Sequence, residues 1–139
     1  MKTCCRLIVF VALAALVACS DGSPPTAVTV AEVCQQEAGT RVMAEGRLAL
    51  PTFMTCTGGQ CQISLYDETD SVFVEFVASD RPGNNGLKLP PEQYTEDDLS
   101  VVLADGSVAD RATPVRITGV VRRPSNNACY LDVHSAERR

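Results

Sequence analysis

The chain has 139 residues, 45% of them hydrophobic, with 12 Lys and Arg against 17 Asp and Glu and a formal net charge of −5. That length carries one domain rather than two full cores, and the apolar content is too high for a chain that stays disordered. An acidic balance with no Trp and one His argues against a surface built mainly to neutralise phosphates.

In chain order, Lys2 and Arg6 precede an uncharged apolar run from Leu7 to Ala18. A run that short suits the core of an export signal, because spanning a bilayer takes about 20 residues. It ends in Leu16-Val17-Ala18-Cys19, which resembles the lipobox of bacterial lipoproteins. The resemblance implies that residues 1–18 are a signal peptide cleaved before Cys19, that the Cys19 thiol carries a diacylglyceryl group, and that the new amine is acylated. An ordinary secretory signal or a marginal membrane anchor is the alternative. Acyl chains contribute about 0.8 kcal/mol per buried methylene, so several of them make membrane attachment nearly permanent. Ser20 after the cysteine, where Asp would mean retention, implies by the same family's sorting rule the periplasmic face of the outer membrane. Cleavage removes Lys2 and Arg6 and leaves 10 basic against 17 acidic side chains, a net of −7. Residues 19–27, with Asp21-Gly22-Ser23-Pro24-Pro25, read as a lipidated tether, and residues 28–139 as the folded domain.

Of seven cysteines, Cys4 and Cys5 fall in the signal and Cys19 at the lipidation position, which leaves Cys34, Cys56, Cys61 and Cys129. An even set in a small exported domain reads as a disulfide framework with three possible connectivities. Cys56-Thr57-Gly58-Gly59-Gln60-Cys61 brackets a Gly-Gly turn that brings its two thiols together, so Cys56 pairs with Cys61 and, by elimination, Cys34 with Cys129. A zinc site would want two close pairs where one exists, and a redox dithiol would want Cys-x-x-Cys at a helix start.

The domain opens with a short strand or helical turn in residues 26–38. From Arg41 the period is two: Val42, Ala44, Gly46, Leu48 and Leu50 share one face, opposite Arg41, Glu45 and Arg47. Gly46 in mid-strand suggests a bend at which the strand serves two sheets. Residues 51–60 read as a loop, Gln62–Tyr66 as a strand with Ile63 and Leu65 inward, Asp67–Asp70 as an acidic turn, and Ser71–Ala78 as a strand with Val72, Val74 and Phe76 inward. Residues 79–98 need no regular structure. Short extended pieces flank the turn at Asp105-Gly106. Val115, Ile117, Gly119 and Val121 alternate again, with Arg116, Thr118 and Arg122 outward. A turn at Pro124–Asn127 leads to a final inward row of Cys129, Leu131 and Val133. Five principal strands, no sustained helical period and a long interval between the third and fourth predict an all-β, five-stranded Greek-key barrel with a long irregular excursion.

Val42-Met43-Ala44-Glu45-Gly46-Arg47-Leu48, Cys61-Gln62-Ile63-Ser64-Leu65-Tyr66-Asp67, Ser71-Val72-Phe73-Val74-Glu75, Pro114–Val121 and Tyr130-Leu131-Asp132-Val133 together resemble an OB-fold domain. The likeness is to uncharacterised bacterial OB-fold lipoproteins and the tRNA-anticodon-binding-like superfamily, over most of residues 30–135. A helix usual between the third and fourth strands of that fold is not legible in residues 79–113.

The resemblance implies a ligand surface on the second and third strands and the loops beside them. Here that surface takes Gln62, Ser64, Tyr66, Phe73, Glu75 and Val77, with Phe53 and Met54 from the first loop and Arg122, Arg123 and Asn126 from the last. Tyr66 and Phe73 offer stacking platforms, although Phe73 is expected to pack beneath residues 79–113. Arg122-Arg123 resembles an anion clamp but reads more simply as a solvated turn. Asp67-Glu68-Thr69-Asp70 and Glu96-Asp97-Asp98 lack the spacing of an EF-hand loop. His134 stands alone, and without the Tyr that accompanies the C-terminal His of the OB-fold haem chaperone it gives no reason to expect haem. No catalytic constellation, metal site or cofactor is expected. The function that follows is a non-enzymatic, lipid-anchored envelope module engaging a protein partner or small ligand; the alternative is an oligosaccharide or single-stranded nucleic acid on the barrel face, with nucleic acid opposed by charge and compartment.

Overall fold

The computed structural model describes residues 22–139. The signal peptide and the Cys19 lipidation position lie outside the described residues. The elements in chain order are β1 (Thr26–Ala27), α1 (Val30–Val33), β2 (Arg41–Ala49), β3 (Thr55–Thr57), β4 (Gln60–Tyr66), β5 (Ser71–Ser79), β6 (Gly86–Lys88), a 3-10 turn (Glu96–Asp98), β7 (Val101–Val102), β8 (Val108–Ala109), β9 (Val115–Ser125) and β10 (Ala128–Arg138).

β2, β4, β5, β10 and β9 close on themselves as a five-stranded barrel. All of these pairings are antiparallel except β5 with β10, where Tyr130, Leu131 and Asp132 lie beside Phe73, Val74 and Glu75 in parallel register. The period-two pattern read from the sequence describes these strands. Leu48, Ile63, Leu65, Val74, Ile117 and Leu131 point into the barrel and are fully buried.

Closure depends on β2. Its residues Arg41–Gly46 pair with β9, and its residues Arg47–Ala49 pair with β4. Gly46 stands where the strand changes partners, and a Cβ there would run into the carbonyl oxygen of Tyr66. The glycine lets β2 pass close enough to β4 for the sheet to roll up.

Both ends of the barrel are covered. At the end where β2 and β5 begin, α1 packs against these two strands and buries Val30 and Val33. The Thr29 backbone N–H donates to Glu32 Oε2 at 2.9 Å and starts this short helix. The Cys34–Cys129 disulfide then ties it to β10 across 95 residues of sequence. At the other end, residues 79–113 carry more structure than the expected irregular excursion. β6 adds in parallel to the end of β5, and β7 and β8 extend the sheet as a small hairpin. Leu87, Leu99, Val101 and Leu103 are buried beneath it. These strands are too short to show a period, and their burial comes from long-range packing. The Ala104 N–H donates to the Ala136 carbonyl at 2.8 Å, and the Ala136 N–H donates to Asn85 Oδ1 at 2.8 Å, which fixes the excursion to β10.

Two further expectations are corrected. Residues 51–60 contain the strand β3, whose Thr-Cys-Thr is exposed on both faces and so shows no alternation. Gly58 and Gly59, with φ of 60° and 80°, form the two-residue turn between β3 and β4. This places Cys56 opposite Cys61, with 4.0 Å between their Cα atoms. Both expected disulfide pairings are present. The chain-entropy model gives the long bridge about 4–5 kcal/mol and the short one about 2. The expected tether also ends earlier than residue 27, since Thr26 and Ala27 pair with Val42 and Met43.

Gly46→Ala is expected to cost about 2–3 kcal/mol through this backbone collision. Gly83→Ala, where nothing lies within 4 Å, should be near neutral. Urea unfolding midpoints of the two variants check this, and equal midpoints would mean that the strand change does not depend on Gly46.

Candidate binding face

The outer side of β4, β5, β10 and β9 is laid out in rows set by strand register. Ser64, Phe73, Tyr130 and Arg122 make one row, and Gln62, Glu75, Asp132 and Val120 the next. Because Val74, Phe76, Leu131 and Val121 are buried, their alternate neighbours face outward. Phe73 is 47% exposed and Val77, two positions beyond Glu75, is 63% exposed.

The polar groups on this face hold one another. Gln62 Nε2 donates to Glu75 Oε2 at 3.2 Å. Arg122 donates through Nε and Nη2 to Asp132 Oδ2 at 3.1 and 2.9 Å. Partial burial, followed by the negative charges of Glu75 and Asp132, pushes the Tyr130 phenol above its ordinary pKa of 10.0. The face therefore offers apolar contact from Phe73 and Val77 beside carboxylates able to accept hydrogen bonds or meet positive charge.

Of the expected ligand residues, Gln62, Ser64, Phe73, Glu75, Val77 and Arg122 share this face. Tyr130 and Asp132, which the sequence reading placed in the last strand but not on the ligand surface, join them. Residues 79–113 leave Phe73 uncovered; it borders a shallow depression of about 130 Å3 with Ser64, Ser71, Val72 and the Cys34–Cys129 disulfide. Tyr66 lies in a different groove of about 590 Å3, lined by Glu45, Arg47, Asp67, Glu68 and Arg139 among others. There Glu45 meets Arg116 at 2.8 Å and Arg139 at 2.9 Å. Phe53 is 88% exposed in the β2–β3 loop, which Tyr94 anchors by donating to the Pro51 carbonyl at 2.7 Å. Met54 packs partly against the core.

The arginine pair does not form an anion clamp. Arg122 is bound to Asp132, and Arg123 donates to the carbonyls of Cys34 and Gln36 after α1. Asn126 sits in the β9–β10 turn. The acidic turn is self-contained: Asp67 Oδ1 accepts from the backbone N–H groups of Thr69 and Asp70, each at 2.9 Å, which holds its carboxyl below the ordinary range. Among the described residues no three His, Cys, Asp or Glu side chains are grouped to hold a metal.

Strand order, the parallel closure of β5 on β10 and the Greek-key path define an OB-fold. No family model matches the chain, and no curated protein does. Among solved structures, the hypothetical protein YgiW of E. coli superposes with a TM-score of 0.52 at 13% identity, covering 85% of this chain and 99% of that one. A putative aspartyl-tRNA synthetase from Leishmania major Friedlin superposes with a TM-score of 0.48 at 16% identity, covering 88% of this chain and 22% of that one. The telomere capping protein Ten1 of Schizosaccharomyces pombe gives 0.45 at 16% identity, covering 83% and 81%. At such identities the likeness to YgiW shows a shared fold and nothing of ligand.

The raised Tyr130 pKa has a defined sign for stability. Above pH 10.0 the unfolded chain releases the phenolic proton while the folded protein retains it, so stability falls as pH rises through that range. Tyr130→Phe is expected to remove one late phenolate transition from an ultraviolet titration and to reduce the alkaline loss of stability. Identical alkaline profiles for the two proteins would contradict this placement of Tyr130.

Proposed function

We propose that the protein is a non-enzymatic binding module, lipid-anchored at Cys19 in the cell envelope on the periplasmic face of the outer membrane, which engages a protein partner or small ligand through the β4–β5–β10 face. The observation that carries the reading is the exposure of Phe73 and Val77, at 47% and 63%, on one open strand face among polar neighbours. Large apolar side chains presented together on an otherwise polar surface are what recognition surfaces bury on binding. Two disulfides point to an oxidising compartment outside the cytoplasm. No helix among the described residues is long and apolar enough to cross a membrane.

Mass spectrometry of the protein from membranes is expected to find a chain starting at Cys19 and bearing acyl groups there. Cys19→Ser should lose both modification and membrane fractionation. A retained leader or an unmodified Cys19 would remove the anchor from the reading.

The face itself is tested with a photoreactive residue in place of Phe73 or Val77 in intact cells. Both positions are expected to crosslink one discrete species, while Arg47 on β2, outside β4, β5 and β10, gives none. Equal yields from all three positions, or none from any, would overturn the assignment. A crosslinked oligosaccharide or single-stranded nucleic acid would transfer the face to the alternative ligand class.

A further inference from the structure

We propose that the β4–β5–β10 face docks a peptide segment presenting an arginine or lysine between apolar side chains. This rests on the reading of that face as the binding surface and specifies the chemistry of its partner.

Along β5 the outward residues are Phe73, Glu75 and Val77, an apolar–acidic–apolar stripe. At ~3.3 Å per residue it spans about 13 Å from Phe73 to Val77. An extended segment with apolar, basic and apolar side chains at alternate positions has the same spacing. The charge on this face is acidic. Glu75 and Asp132 stand side by side across the parallel pair. Arg122, the arginine of these rows, is already committed to Asp132. The hydrogen-bond partners of Glu75, the Gln62 amide and the Tyr130 phenol, are both neutral, so its negative charge is not neutralised.

The neighbouring row strengthens the preference. Phe73 and Tyr130 lie next to Glu75 and Asp132 in register, and an aromatic ring beside a carboxylate offers a cation both ring electrons and charge. Arg122 provides an internal precedent, since it is paired in register with Tyr130 and bound to the adjacent Asp132. A polyanion finds the reverse: a chain of net charge −5 with no uncommitted cation in these rows to neutralise a phosphate.

The test uses the processed protein purified from membranes in a nonionic detergent with its disulfides intact. Its probes are a synthetic peptide of alternating valine and arginine, the matching valine–glutamate peptide, and an oligothymidylate of similar length. The arginine peptide is expected to bind, to perturb amide resonances of β4, β5 and β10, and to weaken with salt. Glu75→Gln should reduce that affinity at least tenfold with no change in unfolding midpoint, and Glu75→Lys should turn the preference toward the glutamate peptide. Absence of arginine-peptide binding, equal binding by the glutamate peptide or oligothymidylate, or indifference to Glu75→Gln would overturn the inference. If crosslinks from positions 73 and 77 persist unchanged in Glu75→Gln, the binding face stands and its basic partner does not.

Discussion

This five-stranded barrel closes through β2, which pairs with two neighbours in succession along its length. Its change of partner from β9 to β4 takes place at Gly46, directly against the Tyr66 backbone. Once β2 bends, β9 and β4 lie on either side of it, β5 follows β4, and β10 fills the remaining gap with its parallel pairing to β5. Alternate residues of all five strands then point into one interior, which excludes water without a large aromatic core. The same geometry puts the intervening residues on the outside, so the order of side chains on the binding face follows from barrel closure.

Such a cylinder has open ends, and the chain covers them by different means. The N-terminal end is closed by one helical turn, too short to be stable alone. Burial of Val30 and Val33, the Cys34–Cys129 bridge and the Arg123 side chain on the following carbonyls hold it in place. The opposite end is closed by the long connection between β5 and β9, which extends the sheet by three short strands and brings buried leucines. Neither cover lies over Phe73, and the outer side of β5 stays accessible.

The barrel was legible in the sequence because four of its strands have one wet and one dry face, and Val42–Leu50 or Val115–Val121 display that alternation directly. Gly46 was legible as a bend for the same reason, since a glycine interrupts an otherwise apolar row. β3 and β6 were not legible: both are three residues long, β3 is exposed on both faces and so has no alternation, and β6 is ordered by its pairing with β5 and β7. The binding face was legible in part. Phe73, Glu75 and Gln62 are outward by local pattern alone, whereas Tyr130 and Asp132 join them only through the parallel register of β10 on β5. Partner choice for the two adjacent arginines was likewise nonlocal, with Arg122 drawn to Asp132 and Arg123 to the end of α1.

The bridge between Cys34 and Cys129 encloses four of the five barrel strands, all but β10, within one covalent ring. A protease that nicks the chain once between those cysteines, for instance in the exposed turn at Asp105-Gly106, releases no fragment. The cut molecule keeps its mass apart from one added water, and its pieces separate only after reduction and unfolding. In an oxidising compartment, where the bridge stays closed, this ring holds a clipped chain together in addition to stabilising the intact fold.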